Sequence, residues 1–417
     1  MNNWRNLKIR EFAITQSGGT PSTTRSDYWD GDIPWINSGE LKDCSIKKPS
    51  KYITKLGLDS SSARLFPKNT VVIALTGATT AKLGVLEIET STNQSVTGIL
   101  PNNEFNSKFL FYQLFSLRRE ILSNSLGTAQ PHINKRIVDE ILVKLPPIKE
   151  QLSIVSKIEE LLSDLEIGKQ QLQIVHQRLK VYRQSLLKWA FEGRFDYAQR
   201  PSNSVKDGEL PKSWKIMKTG EVIDIINNGY TPTKEYLSEG SGEIPFIKVY
   251  NLKFDGTLNF RKNPTFIPSS IHKKDLKRSI CYPNDVLINI VGPPLGKVSI
   301  VNNQYPEWNI NQAIVLFRPN EKILSKYISY FLQNPVTINW LEDTSKATAG
   351  QWNVKVSTCR LIPIPIPPIE EQQYIVDELE SKLTVCDKIE ETINQSLQQA
   401  ETLRQSILKK AFEGKLV

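Results

Sequence analysis

Two stretches of the chain carry apolar residues at steps of three and four over about forty positions. In the first they fall at Ile148, Leu152, Val155, Ile158, Leu162, Leu165, Leu172, Val175, Leu179, Tyr182 and Leu186. In the second they fall at Ile369, Val376, Leu379, Leu383, Cys386, Ile389, Ile393, Leu397, Leu403 and Ile407. A single apolar stripe on an otherwise polar rod predicts two long helices that meet along a coiled-coil seam. Pro147 and Pro368 suit the first turn, Glu150 and Glu371 suit its positive dipole end, and Gly193 and Gly414 suit the exit. Roughly 45 residues at about 1.5 Å rise give a rod of about 65 Å. Outside the rods the pattern shortens to β-branched runs. Val71–Leu75 and Val286–Ile290 read as strands. Ile362-Pro363-Ile364-Pro365-Ile366 is restricted to a sheet edge or an extended connector, because proline has no N–H to donate.

The chain repeats itself. Pro147-Ile148-Lys149-Glu150-Gln151 returns as Pro368-Ile369-Glu370-Glu371-Gln372, and Arg183 to Gly193 returns as Arg404 to Gly414, both 221 positions later. The regions before the rods match more loosely. Trp4–Pro21 parallels Trp214–Pro232, and Ile33-Pro34-Trp35-Ile36 parallels Ile244-Pro245-Phe246-Ile247. Lys82 pairs with Lys297, Asn93-Gln94 with Asn311-Gln312, and Gln130 with Gln351. The architecture read from this is α+β. Two mixed α/β domains, 1–145 and 212–366, are each followed by a long helix, 146–195 and 367–417, with a linker at 196–211. Repeats of this period call for a paired architecture, not one large core.

Composition is that of an ordinary globular chain, with 39% hydrophobic and 23% charged residues. The N-terminus shows no apolar leader, and no run of about 18 apolar residues suggests a membrane span. Four scattered cysteines without a C-x-x-C pair give neither a zinc site nor a disulfide framework, so a reduced, cytoplasmic chain is expected. The net charge of +9 matters only once divided. Residues 1–145 hold 18 Lys+Arg against 13 Asp+Glu, and 196–366 hold 21 against 15. The first rod holds 8 against 6 and the second 6 against 10. A polyanion would therefore meet the globules, leaving the rods for each other and for protein.

No catalytic constellation is evident. There is no G-x-G-x-x-G loop, and Gly292–Val298 is a residue short of a phosphate loop and lacks its Ser or Thr. Asp32 with Glu40-Leu41-Lys42 could hold magnesium, but the second copy has Asn251 in place of Glu40. Among the three histidines, His132 aligns with Asn353, a change that suits hydrogen-bond readout and not acid–base catalysis.

The paired Pro-Pro-Ile-x-Glu-Gln openings (Pro146–Gln151, Pro367–Gln372) and Ala-Phe-Glu-Gly closings (Ala190–Gly193, Ala411–Gly414) carry a resemblance to a known family. So do Ile33–Ile36, the Asn-Gln dipeptides and Gln130/Gln351. The chain resembles, over essentially its whole length, the specificity (S) subunit of type I restriction–modification systems. The resemblance implies two target recognition domains, each reading half of a bipartite double-stranded DNA site. It implies rods packed antiparallel as a coiled coil, turning the direct repeat into a pseudo-twofold that sets the unread spacer. Two M subunits, carrying S-adenosylmethionine, would methylate adenine N6. Two R subunits, using ATP and magnesium, would cleave. The chain itself would be non-catalytic, without cofactor, metal or membrane. A coiled-coil scaffold that reads no DNA is the alternative.

Candidate DNA contacts are Lys82 and Lys297, expected at phosphate; Asn37, Ser38, Lys248, Tyr250 and Asn251, which differ between the copies as base readers should; and Gln130, His132, Asn134, Lys135, Gln351, Asn353 and Lys355 ahead of the rods. Candidate M-subunit docking residues are Arg183, Gln184, Ser185 and their counterparts Arg404, Gln405, Ser406.

Overall fold

The structure, a computed structural model, describes residues 3–123, 125, 132–197, 209–345, 347–348 and 351–416. Most of the expected linker, 198–208, lies outside them. Both rods are continuous helices, Ile148–Phe191 and Ile369–Phe412. The exits are as expected. Gly193 and Gly414 have φ of 69° and 68°, which a β-carbon would oppose, and Arg194 and Lys415 donate back to the carbonyls of Trp189 and Lys410.

The openings owe their shared sequence to a buried glutamine. Gln151 donates to the carbonyls of Pro146 (2.8 Å) and Glu104 (3.2 Å) and accepts from the Asn106 N–H (2.8 Å). Gln372 repeats this with Pro367 (3.1 Å), Lys322 (3.0 Å) and the Leu324 N–H (3.1 Å). Both side chains are fully buried, so each amide ties a helix start to the loop ahead of a core helix. Gln151→Leu should strand two carbonyls and an N–H and cost roughly 2–4 kcal/mol. Urea denaturation of Gln151→Leu and Gln372→Leu checks this, and unchanged midpoints would refute it.

Backbone contacts divide the chain into two compact units, 1–173 with 394–417, and 174–393. Each holds one globule, the start of one long helix and the end of the other. In the first unit, a five-stranded sheet runs in the order Thr15–Ser17, Val96–Ile99, Val71–Ala74, Leu83–Leu86, Cys44–Ile46. A four-stranded sheet runs Lys51–Ile53, Trp29–Ile36, Thr90–Thr92, Leu65–Phe66. The second unit repeats both orders. Its four-stranded sheet is Ile225–Asn228, Ile314–Arg318, Val286–Asn289, Val298–Ile300. Its five-stranded sheet adds Ser238–Glu239 to Thr265–Ile267, Ile244–Ile247, Trp308–Ile310 and Ile280–Cys281. A two-stranded ribbon leads into each helix, Arg5–Lys8 with Leu142–Leu145 and Lys215–Lys218 with Pro363–Ile366. The proline-alternating strand thus pairs on one side only.

The helices run antiparallel within each unit. In the first, Lys169 faces Glu401, while Ile154, Val155 and Ile158 share a core with Leu408, Ala411 and Phe412. In the second, His176 meets Glu390 at 2.9 Å and Arg183 meets Asp387 at 2.5 Å. Part of the expected seam is elsewhere. Val155, Ile158, Leu179 and Leu186 are buried, but Ile148, Leu152, Val175, Tyr182, Ile389 and Leu403 are exposed. Two helices touch along a narrow line, and a stripe read at mixed steps of three and four merges two neighbouring faces. Val175 and Tyr182 instead join Ile174, Val181 and Trp189 on a second, exposed apolar face of the first helix.

Candidate nucleic-acid interface

In each globule one strand end gathers the segments singled out by the repeat. Behind Val71–Ala74, Leu75 donates to the carbonyl of Ser95 and accepts from the Ile133 N–H, both at 2.8 Å, and Ala74 donates to the Lys82 carbonyl at 2.9 Å. Behind Val286–Asn289, Ile290 donates to Ala313 and accepts from Val354, both at 2.9 Å, and Asn289 donates to Lys297 at 3.1 Å. Loops 76–82 and 291–297, turns 93–95 and 311–313, and the segments entering the last short helix therefore converge identically. Asn93 and Asn311 donate to the carbonyls of Ile36 and Ile247, each at 3.1 Å, which brings in the Asn37–Glu40 and Lys248–Asn251 turns.

The Asn-Gln dipeptides are explained by tethering. The hydroxyls of Thr20 and Thr231 donate to the side-chain carbonyls of Gln94 and Gln312. Gly18 and Gly229 precede these threonines, and a β-carbon on either would lie within 2.5 Å of backbone oxygens of the facing turn. The Thr-Pro dipeptide after each glycine, Thr20-Pro21 and Thr231-Pro232, was the available signal for this contact.

Several candidate readers also have structural duties. Asn251 is fully buried; its amide donates to the carbonyls of Asn259 and Lys262 and accepts from the Lys248 N–H. Asn37 caps its turn, accepting from the Gly39 N–H, while its own N–H goes to Glu40. Glu40 and Asn251 hold equivalent cap positions, which explains the carboxylate lost between copies. Asn134 caps the helix Lys135–Asp139, and Lys135 pairs with Asp139 at 2.7 Å. The Tyr250 hydroxyl donates to Asn263 at 2.9 Å, and Lys248 lies over the Tyr250 ring. Ser38 is half-buried, whereas His132, Asn353 and Lys355 are exposed. Gln130 and the side chain of Gln351 lie outside the described residues, although the Gln351–Asn353 strand pairs with Val291–Gly292 beside the lysine loop.

The matched lysines are held by different partners. Lys82 pairs with Asp43 at 2.8 Å, and Asp43 also receives Arg118 and the Leu83 N–H. Burial pushes the Asp43 carboxyl up, but the bonds from Lys82, Arg118 and Leu83 outweigh it, so its pKa lies below the ordinary carboxylate value. At the equivalent place in the second globule stands Phe254, and Lys297 lies over its ring at 5.8 Å. Basic groups missed in the sequence flank the same edges. Exposed Arg64 follows the Ser62–Ala63 backbone packed on Gly19, and the carbonyl of exposed Arg278 accepts from Asn227 ahead of Gly229.

On the helices, Arg183 and Arg404 are half-buried. Arg183 sits in the helix seam on Asp387 and Glu390, and Arg404 stacks 5.0 Å from the centroid of Phe115 in the first unit. Gln184 and Gln405 are exposed, Ser185 and Ser406 half-buried.

A family model described as the type I restriction modification DNA specificity domain matches residues 1–177 and again 211–399, the two copies just described. The chain belongs to that family. The specificity subunit of the type I restriction enzyme EcoBI of Escherichia coli is 30% identical, over 78% of this chain and 69% of that protein. That of MjaVIII from Methanocaldococcus jannaschii is 24% identical over 99% of this chain and 93% of the relative. Among solved structures, a chain from a study of assembly and conformational transition of the type I R-M system aligns with a TM-score of 0.76 at 19% identity, covering 100% of this chain and 99% of that one. The HsdS subunit of Thermoanaerobacter tengcongensis aligns with a TM-score of 0.63 at 20% identity, covering 99% and 97%. Both structures share the fold of this chain.

Proposed function

We propose that the chain is the non-catalytic, sequence-reading subunit of a type I restriction–modification complex. Residues 1–145 and 212–366 each read one half of a bipartite DNA target, and the helices set the unread spacer. One observation carries this reading. Both globules assemble the same loops by the same backbone hydrogen bonds, yet fill them differently: Asp43 against Phe254, His132 against Asn353, Asn37 against Lys248. A constant frame with variable groups at one edge is what two readers of different bases require. Lys82, Lys297, Ser38, Lys248, Tyr250, His132, Asn353 and Lys355 are the proposed DNA contacts.

Two M subunits and two R subunits complete the proposed assembly in the cytoplasm. S-adenosylmethionine chemistry belongs to the M subunits, and ATP with magnesium to the R subunits. The exposed face Ile174, Val181, Tyr182 and Trp189, beside Gln184 and Ser185, supports protein docking on the first helix; Gln405 and Ser406 are the counterparts on the second.

The test is selective methylation. With M subunits, the chain should direct N6-methyladenine to one two-part sequence, and affinity should fall steeply with salt. Exchanging the first globule, with the helix ends packed on it, for that of another family member should change one half-site only. Unselective DNA binding by the full complex would favour a scaffold without readout.

A further inference from the structure

The second globule carries a basic segment that the first lacks. Lys273, Lys274, Lys277 and Arg278 are all exposed, and none is paired with a carboxylate of the described residues. Asp275 is the one acid between them. The equivalent stretch of the first globule, 55–64, offers only Lys55 and Arg64 against Asp59.

This segment is not a loose charged loop. A single buried side chain, Asn309, pins it at three places. Its Nδ2 donates to His272 Nδ1 at 3.0 Å and to the Leu276 carbonyl at 3.1 Å, and its Oδ1 accepts from the Ser279 hydroxyl at 2.7 Å. His272 and Asn309 are both fully buried. Because Nδ1 accepts, the imidazole proton sits on Nε2, facing Glu307 at 3.2 Å. Between the pinned residues the four cationic side chains can only project outward. In the first globule Ser91 holds the register of Asn309, each lying opposite the aromatic residue of the Ile-Pro-aromatic-Ile strand, and its side chain is too short to bridge such a segment.

The pinned segment also borders the reading edge. Asn309 is followed directly by Ile310 and the Asn311–Gln312 turn. The Arg278 carbonyl accepts from Asn227 at 3.3 Å, two residues before Gly229 and Tyr230. A rigid backbone spends little ordering free energy when its charges meet a partner. A row of cations without hydrogen-bond acceptors suits phosphate oxygens and not base edges.

We propose that Lys273, Lys274, Lys277 and Arg278 form a preorganised clamp for the DNA phosphate backbone flanking the half-site read by the second globule, with no counterpart on the first. The inference rests on the DNA-reading function proposed above. It makes the complex asymmetric: the second globule contributes sequence-independent affinity, and the protected DNA extends further on its side.

The experiment measures DNA affinity of the chain with M subunits against salt, for the unaltered chain and for Lys273→Gln/Lys274→Gln/Lys277→Gln/Arg278→Gln. Each phosphate contact contributes about 0.9 to the slope of log affinity on log salt, so the loss of four should lower the slope by about 3.6 and affinity at low salt by more than about a hundredfold. The methylated sequence should not change. A variant exchanging Lys for Arg and Arg for Lys at the four positions should keep the slope, which a fold defect would not explain. An unchanged slope in the Gln variant overturns the clamp, as does a changed target sequence with the slope intact. If the unaltered complex binds without selectivity but the Gln variant still loses slope, the reading function fails and the clamp stands.

Discussion

Ending the chain at Ala400 should unfold the first globule and leave the second folded. The affected globule lies more than 250 residues from the cut in sequence, but its core is closed by the end of the second helix. Leu408, Ala411 and Phe412 are buried in the same cluster as Phe109, Val143 and Ile154. The Phe412 ring meets Phe109 edge-on at 5.4 Å. Deleting a buried Leu costs about 2–5 kcal/mol and a buried Phe about 3–5 kcal/mol. Together they approach or exceed the 5–15 kcal/mol that holds a typical domain folded. The second unit ends at Ile393 and keeps its own closure, in which Phe191 packs edge-on against Tyr327 (5.1 Å) and Phe331 (5.5 Å). Hydrogen exchange should show protection lost across residues 5–145 and retained across 215–366. Protection retained in both would mean that the helix end is an accessory to the core and not part of it.

The sequence exposes the scaffold more readily than the site. The helices, their glycine exits and the paired strands follow from local rules: a 3.6-residue period, a positive φ that only glycine tolerates cheaply, and β-branched runs. The shared Pro-Pro-Ile-x-Glu-Gln opening is visible as a repeat, but its reason is not, because Gln151 and Gln372 work through carbonyls of loops about 45–50 residues away. The same limit hides the structural bonds of some candidate readers. A polar residue after a strand reads as a base contact until its partners are known, and Asn251 spends its amide on Asn259 and Lys262. Arg183 and Arg404 are alike in sequence yet meet different partners, Asp387 and Glu390 in one unit and Phe115 in the other, because the two ends of the repeat pack on different globules. Exchanging residues 1–145 alone would therefore set a foreign core against Leu408 and Phe412. The unit that can be moved includes both helix ends.

Asp43→Asn should destabilise the first unit by about 3 kcal/mol at pH 7, through the loss of one buried partner of two cations. The Asp43 side chain is 10% exposed and Arg118 20%, but Lys82 is 41% exposed, so water compensates it and the cost falls at the low end of the range for breaking a buried pair. The sign with pH follows from the depressed pKa of Asp43. A carboxyl whose pKa is lower folded than unfolded contributes its stability above the unfolded value near 4 and loses it as pH falls through the folded value. The gap between the two proteins should thus be full at pH 7 and narrow steadily below about pH 4. Thermal unfolding should place the variant about 6–12 °C lower at neutral pH, at roughly 2–4 °C per kcal/mol for a unit of this size. An equal gap at pH 7 and pH 3 would assign the effect to packing and not to charge. The same variant separates the two duties of Lys82. If the ammonium reaches phosphate, Asp43→Asn frees it and the salt slope of DNA binding is kept or steepened, whereas Lys82→Gln lowers that slope by about 0.9. If Lys82→Gln costs stability and leaves the slope untouched, Lys82 serves the Asp43 cluster alone and the DNA contact at that loop falls to its neighbours.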